Sequence, residues 1–217
     1  IVAGIGAKIP YWTTLLATLL ACAMVPFEWI DLGSVLAFAL LVIALNVLLS
    51  DRVGTPLLAD TSAAVLAPVY LGLPLGSLVG VHAIAGREGV LLLMASVAVS
   101  DTAQFYTGRT LGRTPLAPLH SPKKTREGAY GGLVVAPLFL TVAGLYWLPI
   151  YPWWWFVSLG LCIVAAGIIG DLFESMLKRA AGLKDSGTLI PGHGGVLDRI
   201  DALLFAAPVF YFFVRSV

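Results

Sequence analysis

The chain has 217 residues, of which 59% are hydrophobic and only 12% charged, with a formal net charge of +1. An ordinary soluble domain is about 25% charged and about 45–50% apolar, and a fold of this size in water could not hide so much apolar surface. A soluble globular fold is therefore excluded and lipid is the expected solvent. Net charge identifies no partner, and no nucleic-acid partner is expected.

A transmembrane helix needs about 20 mostly apolar residues. Seven spans are predicted in chain order, at 10–27, 34–50, 57–81, 88–106, 129–148, 153–170 and 201–216. The expected fold is all-α, a polytopic integral membrane protein with catalytic loops on the cytoplasmic side. The third span contains Pro68 and Pro74 with glycines at 72, 76 and 80, and a bent or partly re-entrant path is expected there. Residues 1–55 read as generic N-terminal membrane helices and 56–217 as the catalytic unit. The chain begins at Ile1 and carries no signal-peptide pattern, so further N-terminal residues are expected. Cys22 and Cys162 fall inside apolar runs and read as small core or lipid-facing residues.

Cytoplasmic loops of membrane proteins are rich in Lys and Arg. With Lys8 inside and the sides alternating through seven spans, the inside also receives Arg52 and two clusters. One is Arg109, Arg113, Lys123, Lys124 and Arg126; the other is Lys178, Arg179, Lys184 and Arg199. The outside receives only Arg87 and Arg215. Both long polar segments, about 107–128 and 171–200, then share the cytoplasmic side, where nucleotides are found. Trp153, Trp154 and Trp155 at the opposite end of the sixth span read as an interfacial aromatic belt.

Ionisable groups at membrane depth are costly and usually mark function or a polar cavity. Asp60 reads either as a functional group or as an interhelical hydrogen-bond acceptor beside Thr61 and Ser62. Asp101 lies near the cytoplasmic end of its span, just before the first basic cluster. The sixth span runs on into Asp171, Glu174, Ser175 and Lys178. If the helix continues, these form one polar stripe at i, i+3, i+4 and i+7. Glu174 and Lys178 read as an ordinary i, i+4 pair; Asp171, directly against the apolar run, does not. Next come Lys184-Asp185-Ser186-Gly187 and Pro191-Gly192-His193-Gly194-Gly195. The glycines let backbone N–H groups approach an anion closely. Asp198 and Asp201 follow at i, i+3. Two carboxylates on one face repel unless a cation sits between them or one is protonated; beside basic and glycine-rich segments they fit Mg²⁺ bound with substrate phosphates. The first basic segment carries Gly108, Gly112 and Ser121-Pro122 as punctuation and reads as a phosphate-binding surface of defined shape that would also attract anionic headgroups.

The run Ser175, Lys178-Arg179, Lys184-Asp185, Pro191, His193-Gly194-Gly195, Asp198-Arg199, Asp201 resembles the long signature of phosphatidate cytidylyltransferases (CDP-diacylglycerol synthases). The stretch Ser100-Asp101-Thr102, Gly108-Arg109, Gly112-Arg113, Ser121-Pro122-Lys123-Lys124-Thr125, Glu127-Gly128 is similar to a second pattern of that family. Many members carry an aromatic where Arg126 stands. The resemblance covers roughly residues 55–217; relatives usually have further N-terminal spans. It implies transfer of CMP from CTP to phosphatidic acid, giving CDP-diacylglycerol and pyrophosphate. It also implies a divalent cation such as Mg²⁺, a second, monovalent cation such as K⁺, and a homodimer in the cytoplasmic membrane of a bacterium.

The chemistry suits the residues. A lipid phosphate monoester has a second pKa of about 6, so at neutral pH it is already a nucleophile. Positioning and positive charge matter more than a general base. Asp171 and Asp198 are the expected metal ligands, with Asp201 third. Lys178, Arg179, Lys184 and Arg199 are expected on phosphates, and Arg109, Lys123 and Lys124 on the triphosphate or the headgroup. Asp101, Ser175, Asp185, Gly194 and Gly195 complete the expected substrate contacts. His193 either donates to the leaving pyrophosphate or orders its loop. A CTP-dependent polyprenol or phytol kinase is the nearest rival; its alcohol acceptor would want a base. An ion-coupled transporter is the other, but the two similar halves common in transporters are absent from the sequence. So is the Asp-Gly, Ala-Arg pattern of CDP-alcohol phosphatidyltransferases.

Overall fold

A computed structural model describes residues 11–25, 32–48, 54–118, 121–183, 186 and 195–216. Among the described residues there are seven α-helices: α1 (Tyr11–Met24), α2 (Leu32–Leu48), α3 (Thr55–Ala67), α4 (Leu73–Leu111), α5 (Arg126–Trp147), α6 (Trp153–Ala180) and α7 (Leu197–Arg215). A single π-helical turn, Pro68–Gly72, joins α3 to α4, and two short antiparallel strands, β1 (Pro115–Ala117) and β2 (Ser121–Thr125), lie between α4 and α5. The all-α expectation holds, and three helical stretches, Leu57–Leu111, Arg126–Trp147 and Trp153–Ala180, are long and apolar enough to cross a membrane.

The first of these is not one rod. At 1.5 Å per residue its 55 residues would reach about 80 Å, against about 30 Å of hydrocarbon. The break falls at Gly86, whose φ of 65° and ψ of −166° lie outside the helical region and in a part of the map that a Cβ disfavours. There the chain folds back on itself. A Cβ on Gly89 would sit 2.5 Å from Ala85 Cβ and 3.4 Å from Val81 Cγ1, and Val81, Leu92 and Leu93 are fully buried in one cluster. Residues 73–85 and 87–111 are thus separate rods, and the gap expected at 82–87 shrinks to one glycine. Pro68 and Pro74 do not turn the chain back, which corrects the re-entrant expectation. The π turn absorbs Pro68 with its backbone still helical, and Pro74 follows directly after that turn, at the start of α4, where the backbone stays helical.

The core lies where 73–111, α5, α6 and α7 meet, around Leu92, Leu140, Phe156, Leu159, Ile163 and Phe210. Small residues set the helix spacing. Gly160 sits against the Cα of Pro137, at 2.6 Å from where a Cβ would be, and Gly170 against the Asp201 carbonyl at 2.7 Å. In the second case α6 and α7 approach closest beside the polar end of the bundle. α1 packs on the π turn through Gly72 against Thr18, and Tyr211 of α7 donates to the Val25 carbonyl at 3.1 Å.

Helix α6 has 28 residues, about 42 Å. Its apolar part, 153–170, accounts for about 27 Å, so Asp171 to Ala180 extend past the hydrocarbon. The polar stripe expected beyond Gly170 is helical, as its spacing required.

Candidate active site

At the polar end of the bundle the ends of α4 and α6, the start of α7 and strand β2 surround a cavity of about 550 Å³. Asp101, Gln104, Phe105, Gly108 and Arg109 reach it from α4, Leu116 from β1, and Lys123, Lys124 and Thr125 from β2. Asp171, Glu174 and Lys178 reach it from α6, and Asp198, Arg199 and Asp201 from α7. Helical spacing aligns each set along one face.

The β hairpin that presents the lysines is held by local chemistry. Thr125 caps α5, its hydroxyl accepting from the Gly128 amide at 3.1 Å. Glu127, in the first turn, accepts from the Arg113 and Thr114 amides at 3.1 and 3.2 Å, where a negative charge also suits the helix dipole. Arg126 donates its backbone N–H to Thr114 at 2.9 Å. A side chain on Gly108 or Gly112 would collide with Thr125, and one on Gly128 with the Gln104 carbonyl. This explains the Gly and Ser-Pro punctuation: the segment is a compact hairpin, not an extended basic loop.

Lysines and carboxylates interleave inside. Lys124 pairs with Asp171. Lys178 Nζ bridges Glu174 Oε2 at 2.6 Å and Asp198 Oδ1 at 2.7 Å. Asp198 Oδ2 also accepts from the Gly195 amide at 2.7 Å, and from the Ser186 hydroxyl at 2.8 Å and amide at 3.0 Å. Burial alone would push the Asp198 carboxyl up, but Lys178 and the Gly195 and Ser186 donors outweigh it and hold it well below the usual carboxylate range. Asp198 thus ties the two described residues of the glycine-rich segment, Ser186 and Gly195, to α6. Asp101, Asp171 and Asp201 repel one another across the cavity.

Of the sequence-predicted site residues, Asp101, Arg109, Lys123, Lys124, Asp171, Lys178, Asp198, Arg199 and Asp201 line this one cavity. Ser175 and Arg179 lie on α6 outside its lining, and Gly195 joins it through Asp198. Lys184, Asp185, His193 and Gly194 fall outside the described residues. Four contributors escaped the sequence reading. Glu174 reads there as an ordinary surface pair, yet its side chain is 1% exposed. Ser186 stands in a quoted segment without a role. Gln104 and Phe105 follow Asp101 on its own face and carry no signal beyond that spacing.

The donor set is one of hard oxygen ligands suited to Mg²⁺. Among the described residues no three carboxylates converge enough to enclose a metal alone. Mg²⁺ is usually bound through one or two carboxylates together with substrate phosphates. Asp171 and Asp201 face the cavity, whereas both Asp198 oxygens are already engaged.

A profile of the Cytidylyltransferase family matches residues 3–217. A phosphatidate cytidylyltransferase of Helicobacter pylori is 41% identical over 151 residues, 69% of this chain and 55% of the relative. One of Thermotoga maritima is 35% identical over 169 residues, 76% of this chain and 63% of the relative. One of Synechocystis is 47% identical over 126 residues, 57% of this chain and 42% of the relative. The matched regions span about half the length of these relatives. A profile match over nearly the whole length, with a cavity lined by the carboxylates and basic groups of both signature stretches, means that the chain belongs to the cytidylyltransferase family.

Proposed function

We propose that this chain transfers CMP from CTP to phosphatidic acid, releasing pyrophosphate and forming CDP-diacylglycerol. The observation that carries the reading is the single cavity in which Asp171 and Asp201 face Lys124, Lys178 and Arg109. Relatives named phosphatidate cytidylyltransferase support the same substrates.

In the reaction a phosphate oxygen of the lipid attacks the α-phosphorus of CTP. The bond from that phosphorus to the bridging oxygen of the β-phosphate breaks, and pyrophosphate leaves with the electron pair. The lipid phosphate is mostly a dianion at neutral pH, so no base must remove a proton. The protein's task is to hold three anionic groups together in line. Arg109, Lys123 and Lys124 meet the triphosphate, and Lys178 and Arg199 the phosphates nearer α7; phosphate-binding roles for Lys184, Gly194 and Gly195 belong to the same proposal. His193 belongs to the same proposal as a donor to the leaving pyrophosphate. Asp171 and Asp201 would hold Mg²⁺, with Asp198 joining once it releases a donor. When bound, the ion would neutralise charge on the crowded phosphates. A second, monovalent cation belongs to the same proposal. Phe105 and Leu116, apolar among polar neighbours, suit a substrate that arrives from the bilayer.

The reading extends to topology. The helical stretches at 11–24, 32–48, 55–85, 87–111, 126–147, 153–180 and 197–215 suit seven crossings, with the cavity on the cytoplasmic side of the cytoplasmic membrane. The excess of Lys and Arg on that side supports this orientation. Residues 56–217 form the catalytic unit, acting as a homodimer.

The test uses detergent-purified protein with α-labelled CTP, phosphatidic acid and Mg²⁺. Label in the lipid together with released pyrophosphate is the expected result. Release of CDP, with γ-label entering a polyprenol instead, would replace this reading with the kinase one.

A further inference from the structure

Glu174 is a carboxylate buried where bare charge is costly. It lies on α6 with its side chain 1% exposed. Its Oε2 is 2.6 Å from Lys178 Nζ, while its Oε1 has no hydrogen-bond partner among the described residues. A second buried oxygen in the same condition, the Tyr70 hydroxyl of the π turn, lies within the field of Glu174. Buried polar atoms normally find partners, and a one-sided buried ion pair gives little net stability. Fold stability alone is a weak reason for this arrangement.

The geometry beyond Glu174 supplies a stronger one. An ammonium has three donors. Lys178 directs one to Glu174 and one to Asp198 Oδ1 at 2.7 Å, and the cavity that Lys178 lines lies beside the third. Lysine is a flexible point charge on a long stem. Asp198 alone, tied to Ser186 and Gly195, could move with that segment. Glu174 is fixed within the helix that bears Lys178, four residues away.

We propose that Glu174 is a positioning residue, which anchors the Lys178 ammonium to α6 so that its remaining donor meets a phosphate oxygen in the cavity. The phosphate belongs to the cytidylyl-transfer reading, on which this part of the inference rests; the anchor itself does not. Glu174 touches no reacting atom and acts only through Lys178.

The experiment compares wild type, Glu174→Gln, Lys178→Met and the double variant. In native membranes, lysines are acetylated with a water-soluble amine reagent and read by peptide mass spectrometry, with exposed Lys123 as internal reference. Without the Glu174 carboxylate the Lys178 amine is held less tightly, so Lys178 in Glu174→Gln should label faster than in wild type, relative to Lys123. An unchanged ratio would overturn the anchor. In the transfer assay Glu174→Gln should lower kcat/KM, and adding it to Lys178→Met should cost nothing further. An additive double variant would overturn the action through Lys178. A wild type without transfer activity counts against the cytidylyl-transfer reading alone, and the labelling ratio still decides the anchor.

Discussion

Gly170 and Gly167 are three residues apart on α6, and replacing each by alanine should have opposite consequences. A Cβ at Gly170 would lie 2.7 Å from the Asp201 carbonyl oxygen and 2.8 Å from Phe205 Cδ2. One at Gly167 would meet only the Ala202 Cβ, at 3.6 Å, an ordinary contact. To bring the Gly170 contact out to about 3.4 Å, α6 and α7 must separate locally by about 0.7 Å, and helix backbones do not yield as side-chain ends do. Overpacking of this kind costs about 1–3 kcal/mol. It also falls between Asp171 and Asp201, the next residue on one helix and the contacted residue on the other. A displacement near 1 Å at reacting groups can reduce rate by about 100-fold. Gly170→Ala should therefore lose roughly 10- to 100-fold in transfer of α-labelled CMP and melt at lower temperature. Gly167→Ala should keep its rate and gain up to about 1 kcal/mol from better helix propensity. Gly160→Ala provides the control for overpacking elsewhere, because its Cβ would press on Pro137 Cα at 2.6 Å in the middle of the bundle. It should lower the melting temperature and leave the rate of the folded fraction nearly intact. If Gly170→Ala were as active as wild type, or Gly167→Ala as damaging as Gly170→Ala, the close α6–α7 approach would not set the carboxylate spacing.

Thr125→Val keeps the shape of the hairpin's end but removes the oxygen that caps α5; it should cost about 0.5–2 kcal/mol and weaken CTP binding, read by calorimetry on the purified protein. Chelation of divalent metal should abolish label transfer, and Mg²⁺ should restore it; transfer that persists in excess chelator would remove the metal from the mechanism. The Asp198 carboxyl titrates below its unfolded value, so its stabilising contribution is present above the unfolded pKa of about 3.9 and is lost as pH falls through the folded one. The gap in melting temperature between wild type and Asp198→Asn should be constant from about pH 5 to 8 and narrow below about pH 4. A gap that widened on acidification would mean that Asp198 is not held as the anion.

Much of the architecture was legible in the sequence because a membrane imposes a length on every apolar run. The sixth span was placed at 153–170, and its polar continuation from Asp171 was legible as a helical stripe. What periodicity could not settle was the path of the backbone where side chains are small. Pro68 looked like the interruption, since proline breaks helices in water; here a π turn absorbs it, and the reversal goes instead to Gly86, whose conformation is costly for any residue with a side chain. The hairpin of β1 and β2 was similarly hidden. Its sequence offers Lys, Pro and Thr in a short run, and its shape comes from a threonine cap and a glutamate accepting two amides fourteen and thirteen residues away.

The site was legible as a set of residues and not as an arrangement. Carboxylates and lysines at helical spacing could be assigned to a face, and the cavity collects them. Their pairing depends on which helices are neighbours, a long-range fact that no local spacing contains. Glu174 is the clearest case. On an isolated helix, Glu174 and Lys178 make an exposed pair worth a few tenths of a kcal/mol. Once α7 packs against α6, Asp198 arrives on the other side of the same ammonium and Glu174 is sealed from solvent. The same two residues change from a surface pair into part of a three-membered network because Gly170 lets the helices approach. Gly170 thus belongs to the chemistry of the cavity as much as the charged groups do, since it sets the distance across which those charges meet.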